Sequence, residues 1–135
     1  MQVSVGERDA ASGLQVVVLL LTNCGRAATV VKGHPDLTVQ DDDDALLAVR
    51  VTQGRGGVPD PGTVAVPLPP GARAQAYLNW RGTAQAEGSV RTERVLVRPR
   101  VVGERAAAAQ VLPLTVDLGP TRTVDVTAWQ AAEAG

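Results

Sequence analysis

The chain has no phenylalanine and no isoleucine, and only one cysteine, one histidine and one lysine. Each shortage excludes something. A lone Cys24 cannot close a disulfide within the chain, form a CxxC redox pair or build a cysteine zinc cluster. Without Phe and Ile, and with aromatic residues at 2%, the core has to be assembled from Val, Leu and Ala, a stock that favours pleated sheet. Charge of one sign is also missing. A net charge of -1 supplies none of the general attraction on which nucleic-acid binders and polybasic membrane anchors depend, so neither partner class is indicated. Lys32 apart, the 13 basic residues are all Arg, which reads as the coding bias of a GC-rich genome. No glycine-rich phosphate cradle follows a strand and opens a helix, so no cofactor is expected.

Nor is there a long hydrophobic run. Leu14 to Leu21, LQVVVLLL, falls far short of the ~20 apolar residues that a bilayer span requires, so no transmembrane segment is expected. No basic region precedes it, as a signal peptide would need, and Thr22-Asn23-Cys24-Gly25 reads as a turn rather than a cleavage site. The run is apolar at odd and even positions alike, which predicts a central strand buried on both faces.

What the sequence has in plenty is alternation with a period of two. Ala72, Ala74, Ala76, Leu78 and Trp80 exchange with Arg73, Gln75, Tyr77 and Asn79. The same period marks buried faces at Leu37 and Val39; at Leu47, Val49 and Val51; at Val64, Val66 and Leu68; and at Val95 and Val97. It continues at Leu112, Leu114, Val116 and Leu118, and at Val124 and Val126. Turn residues are abundant, with 14 Gly and 9 Pro. Pro70-Gly71 predicts a type II turn, and Gly54 to Gly62 a long flexible loop. Pro113 cannot donate to a ladder, so its strand belongs at an edge or a bulge. Only Glu104 to Gln110 has helix-forming composition, enough for about two turns. The fold class expected is all-β, an antiparallel immunoglobulin-like sandwich of about eight or nine strands. A single domain over residues 1–129 is expected, with 130–135 as a disordered tail.

Few side chains invite chemistry. Asp41 to Asp44 put four carboxylates in a row, but calcium loops space their ligands at alternate positions around a Gly that is missing here. A solvated turn accounts for them, and no metal site is expected. His34, in Gly33-His34-Pro35-Asp36, reads as an extended residue before proline. A catalytic pair of Cys24 and His34 in a small hydrolase stays open, because such pairings are spatial. Arg91, Arg94, Arg98, Arg100 and Arg105 gather positive charge, with Arg94 and Arg98 on one strand face. They form either a solvated edge or a patch for an anionic partner such as a cell-wall polymer. Parity puts Trp80 in the core and Tyr77 on the opposite face, while Trp129, in step with Thr127, is unassigned. A carbohydrate-binding surface would use Tyr77, Trp129 and the arginines.

Several segments together resemble an actinobacterial family known as domain of unknown function 4232. They are Thr22-Asn23-Cys24-Gly25 after an aliphatic strand and Val31 to Val39, VKGHPDLTV, leading into an acidic turn. Leu68-Pro69-Pro70-Gly71 with Ala74, Ala76, Leu78 and Trp80, Val116 to Gly119, and Val126 to Trp129 complete the set. The resemblance implies a β-sandwich that is exported, often as a lipoprotein, and it brings no catalytic signature. It further implies a cysteine upstream of the first strand as the disulfide partner of Cys24, a partner absent from this chain, and a lipid anchor upstream as well. Where His34 stands the family usually has an aromatic residue, which implies that His34 packs a turn. The resulting expectation is a non-enzymatic module, secreted or held on the outer face of the cell membrane. It binds a protein or cell-wall partner through loops or an edge strand, with Tyr77, Arg94, Arg98, Arg100 and Trp129 as its surface.

Overall fold

The computed structural model describes residues 2–11, 14–40, 49–81, 90–99, 101–102, 110–118 and 123–132. Among these there is no helix, and the strands run β1 (Gln2–Ala11), β2 (Leu14–Thr22), β3 (Thr29–Lys32), β4 (Asp36–Gln40), β5 (Arg50–Gln53) and β6 (Ala65–Leu68). They continue as β7 (Arg73–Arg81), β8 (Val90–Arg98), β9 (Gln110–Leu118), β10 (Thr123–Val126) and β11 (Gln130–Ala131). One sheet has the order β1-β2-β7-β10-β5, with β11 also on β7. Against it lie β4-β8-β9 and the pair β3-β6. The result is an all-β, sandwich-like arrangement, antiparallel except where β5 runs parallel to β10.

The period-two patterns meet in the space between the layers. Val17, Leu19 and Leu21 of β2 and Ala74, Ala76, Leu78 and Trp80 of β7 face Leu37, Val95, Val97 and Leu112. Burying each larger aliphatic side chain contributes about 1.5–3 kcal/mol, so this cluster is the main source of stability. Trp129 is the largest fully buried side chain. At one flank the Val3 N–H donates to Gln110 Oε1 at 2.7 Å, tying β1 to β9. Pro113 sits on the edge strand β9 beside a register irregularity, and so satisfies both readings of its position.

Turn chemistry matches its residues. The Ala72 N–H donates to Pro69 O at 2.9 Å and Gly71 has φ 85, a conformation that an L side chain rarely adopts, so Pro69 to Ala72 is a type II turn. Asn23 clamps the end of β2 to it. Its Nδ2 donates to Ala27 O and Leu68 O, its Oδ1 accepts from the Gly25 N–H, and its backbone bonds to Gly71 and Ala72.

The structure corrects several expectations. VVVLLL is central in its sheet but buried on one face only: Val17, Leu19 and Leu21 are inside, whereas Val16, Val18 and Leu20 are half-buried. An antiparallel strand has no crossover helix to cover its second face. Val51 and Val64 are exposed, since β5 is an edge strand and Val64 precedes β6. The described residues form eleven strands where eight or nine were expected. The ones missed are β3 and β11, too short to show a period, and β1, whose alternation a bulge between Val5 and Arg8 interrupts. The disorder expected from Gln130 is corrected at its first residues, because Gln130 and Ala131 pair with β7. Asp41–Asp44, Arg100, Arg105 and the segment Glu104 to Ala109 lie outside the described residues, while Gln110 opens a strand.

Candidate functional site

The loop after β5 carries few apolar side chains, and two carboxylates hold it to the sheets. His34 Nε2 and Asp60 Oδ2 are 2.7 Å apart, both side chains largely covered at 15% and 16% exposure. Burial alone would raise the Asp60 pKa, but the His34 hydrogen bond, the Gly62 N–H, the His34 charge and the Ala128 N–H together bring it below 3.8. Asp60 is therefore ionised at neutral pH and accepts the hydrogen bond that the His34 Nε2–H donates. The Trp129 N–H donates to Gly33 O next to this pair. His34 thus joins the β3–β4 turn to the loop.

The second carboxylate is Asp125 on β10, buried at 3% exposure. Its Oδ1 accepts from Thr52 Oγ1 at 2.6 Å and from the Arg55 N–H at 2.8 Å, and its Oδ2 accepts from Asn79 Nδ2 at 3.3 Å. Gly56 lies so close above that a Cβ there would clash with Asn79 Oδ1 and Asp125 Cβ. A cleft of about 400 Å³ opens beside them, lined by Leu14, Trp80, Arg81 and Thr123. This polar cluster escapes sequence reasoning because Asn79 falls on the polar phase of the β7 alternation. The available signal is Asp125 itself, a carboxylate flanked by two core valines, Val124 and Val126.

A wider groove lies where the sandwich is open. β4 ends one sheet and β5 ends the other, and a channel of about 630 Å³ is lined by Asp36, Thr38, Gln40, Val51, Gln53 and Arg98, among others. Arg98 is exposed and stands opposite Asp36 in the β4–β8 register. Among the described residues each of the two strands is paired on one side only, β4 with β8 and β5 with β10, so the groove can take up an extended chain by main-chain hydrogen bonding.

The other nominated residues do not converge here. Arg94 is on β8 opposite Gln40, two registers from Leu96 and four from Arg98. Tyr77 is half-buried on the outer face of β7, as parity requires, and its hydroxyl accepts from Gln75 Nε2 at 3.1 Å. Trp129 has 0% exposure, so its place on a partner surface is corrected: it is core. Cys24 is exposed, with its Sγ 3.8 Å from Gln2 Oε1 and 3.7 Å from Thr22 O, and so neighbours the start of β1 rather than the His34–Asp60 pair. Among the described residues no group of three or more His, Cys, Asp or Glu could hold a metal, and no helix is long and apolar enough to cross a membrane.

Comparison with known proteins gives one finding. The profile of the family described as Domain of unknown function (DUF4232) matches residues 1–130. No curated protein and no solved structure matches.

Proposed function

The chain belongs to the family described as Domain of unknown function (DUF4232), and from that premise we propose that it is a non-enzymatic cell-envelope module that binds an extended protein or cell-wall partner. The observation that carries this reading is the groove between β4 and β5, which among the described residues are the outermost strands of their sheets, with Arg98 and Asp36 on one wall and the exposed Val51 on the other. Edge backbone supplies affinity without regard to sequence, and the side chains along the groove supply selectivity. Arg98 suits an anionic group on the partner. The carbohydrate-binding alternative loses Trp129, which is buried.

Backbone amide spectra recorded during titration with extended peptides and soluble wall fragments test the binding. Shifts confined to β4 and β5, weakened by Arg98→Glu for anionic ligands, are the expected result. If no ligand in the panel moves those amides, or if the shifts fall elsewhere, the reading is withdrawn.

Export is the second half of the proposal. Cys24 is exposed beside Gln2, a position from which it can pair with a cysteine in a segment ahead of β1. Intact mass of the native product from membrane and medium fractions, before and after reduction, decides it. A lipid-bearing form whose mass rises by about 2 Da on reduction supports an anchored, disulfide-closed module. A cytosolic chain with a free thiol removes the export claim.

A further inference from the structure

The face of the large sheet that looks away from the core carries the polar cleft of about 400 Å³. Asn79 and Asp125, opposite each other in the β7–β10 register, form its floor. Arg81 and Leu14, opposite each other in the β2–β7 register, stand beside them, and the segment Arg55 to Gly57 completes the wall. β5 contributes Thr52 to this cleft, whereas Val51 and Gln53 line the groove against β4, so cleft and groove lie on opposite faces of that strand.

The floor holds more acceptor capacity than the chain fills. Asp125 is almost fully buried, yet its partners are a hydroxyl, a peptide N–H and a side-chain amide, none of them charged. Buried carboxylates are ordinarily paired with positive charge. Asn79 is 1% exposed, and among the described residues nothing donates to its Oδ1, a state that buried acceptors seldom keep. The rim has the opposite surplus. Arg55 and Arg81 are exposed, both line the cleft, and neither guanidinium meets an acceptor among the described residues. At ~3.3 Å per residue, Arg81 stands roughly 6.6 Å along β7 from Asn79 on the same face, a span that a chain of a few carbon atoms bridges.

We propose that this cleft binds a small zwitterion of the amino-acid class, its ammonium group donating to Asp125 and Asn79 Oδ1 and its carboxylate held by Arg81 and Arg55. Leu14 gives the connecting carbons an apolar wall, and the volume falls within the range of small-molecule sites. A simple cation is repelled by the arginines and a simple anion by Asp125, so the charge pattern selects molecules that carry both signs. Gly56 covers Asn79 Oδ1, and a side chain there would strike that atom. Gly54 and Gly57, at φ 68 and 87, flank it, so the strap has the backbone freedom to lift and admit the ammonium group. The site shares no wall residue with the β4–β5 groove, so the two proposals fail independently.

Calorimetric titration of the full chain, accompanied by backbone amide spectra, tests this with L-alanine, γ-aminobutyrate, methylammonium and acetate at up to about 10 mM. The expected result is that at least one of the two zwitterions binds and shifts the amides of Arg55 to Gly57, Asn79 and Asp125. The tighter of the two reports the spacing of the charges. Methylammonium and acetate each bind at least about tenfold more weakly. Arg81→Gln, at an exposed position, raises the dissociation constant of the zwitterion about tenfold without weakening methylammonium. Failure of both zwitterions to bind overturns the proposal, as do shifts that fall outside the cleft. Acetate binding as tightly as the zwitterions overturns it in favour of a plain anion site at the arginines.

Discussion

The two faces of β2 carry the same kind of side chain and meet different surroundings. Val17, Leu19 and Leu21 are fully enclosed, while Val16, Val18 and Leu20, each one position away, are only half covered. Hydropathy is equal on both sides, so what separates them is the second layer, which lies against one face only. The comparison teaches that an aliphatic run reports a demand for burial, and that the assembly decides where the demand is met.

That contrast is testable by truncating neighbours. Leu19→Ala is expected to cost about 2–5 kcal/mol in urea unfolding, through lost transfer energy and a residual cavity. Leu20→Ala is expected to cost less than about 1 kcal/mol. Equal costs would show that the outer face is enclosed after all.

The turn that follows β2 gives a second pair. Asn23→Ala removes the donors to Ala27 O and Leu68 O and the acceptor for the Gly25 N–H, and should cost about 1–3 kcal/mol. Cys24→Ser, at the exposed next residue, should stay within about 0.5 kcal/mol of wild type under reducing conditions. A larger loss at Cys24 would mean that its thiol packs.

The loop clamp provides a pH test. Asp60 has a folded pKa below its ordinary 3.8, so its contribution is fully present above that value and is lost as pH falls through the lowered one. Asp60→Asn should therefore lower the thermal midpoint at neutral pH, and the gap from wild type should close in increasingly acidic buffer. A gap independent of pH would place the effect in packing rather than in the carboxylate. The smallest effect is expected of Val51→Thr, an exposed edge position, whose stability should match wild type.

Much of the fold is legible in the sequence because strands alternate with a period that short windows can detect. The β7 pattern, the Pro70-Gly71 turn and the edge position of Pro113 all follow from local rules. The site is less legible. His34 and Asp60 are 26 residues apart, and Thr52 and Asp125 are 73 apart, so no window contains either pair. Trp129 is not assignable by parity, which from Val126 would put it outside with Thr127; three irregular residues between β10 and β11 break that parity and the side chain lies inside.

By itself the sequence determined the class of structure, since a chain rich in Val, Leu, Gly and Pro and poor in aromatics has few ways to bury a core other than paired, twisted sheets. It also determined which residues alternate and where the backbone turns, because those are properties of neighbouring φ and ψ angles. Only the tertiary structure decided which face of each strand is enclosed, which carboxylates hold the loop and which edges remain open. Those outcomes depend on layers and partners distant in sequence, and a local pattern carries no information about what is brought to lie against it.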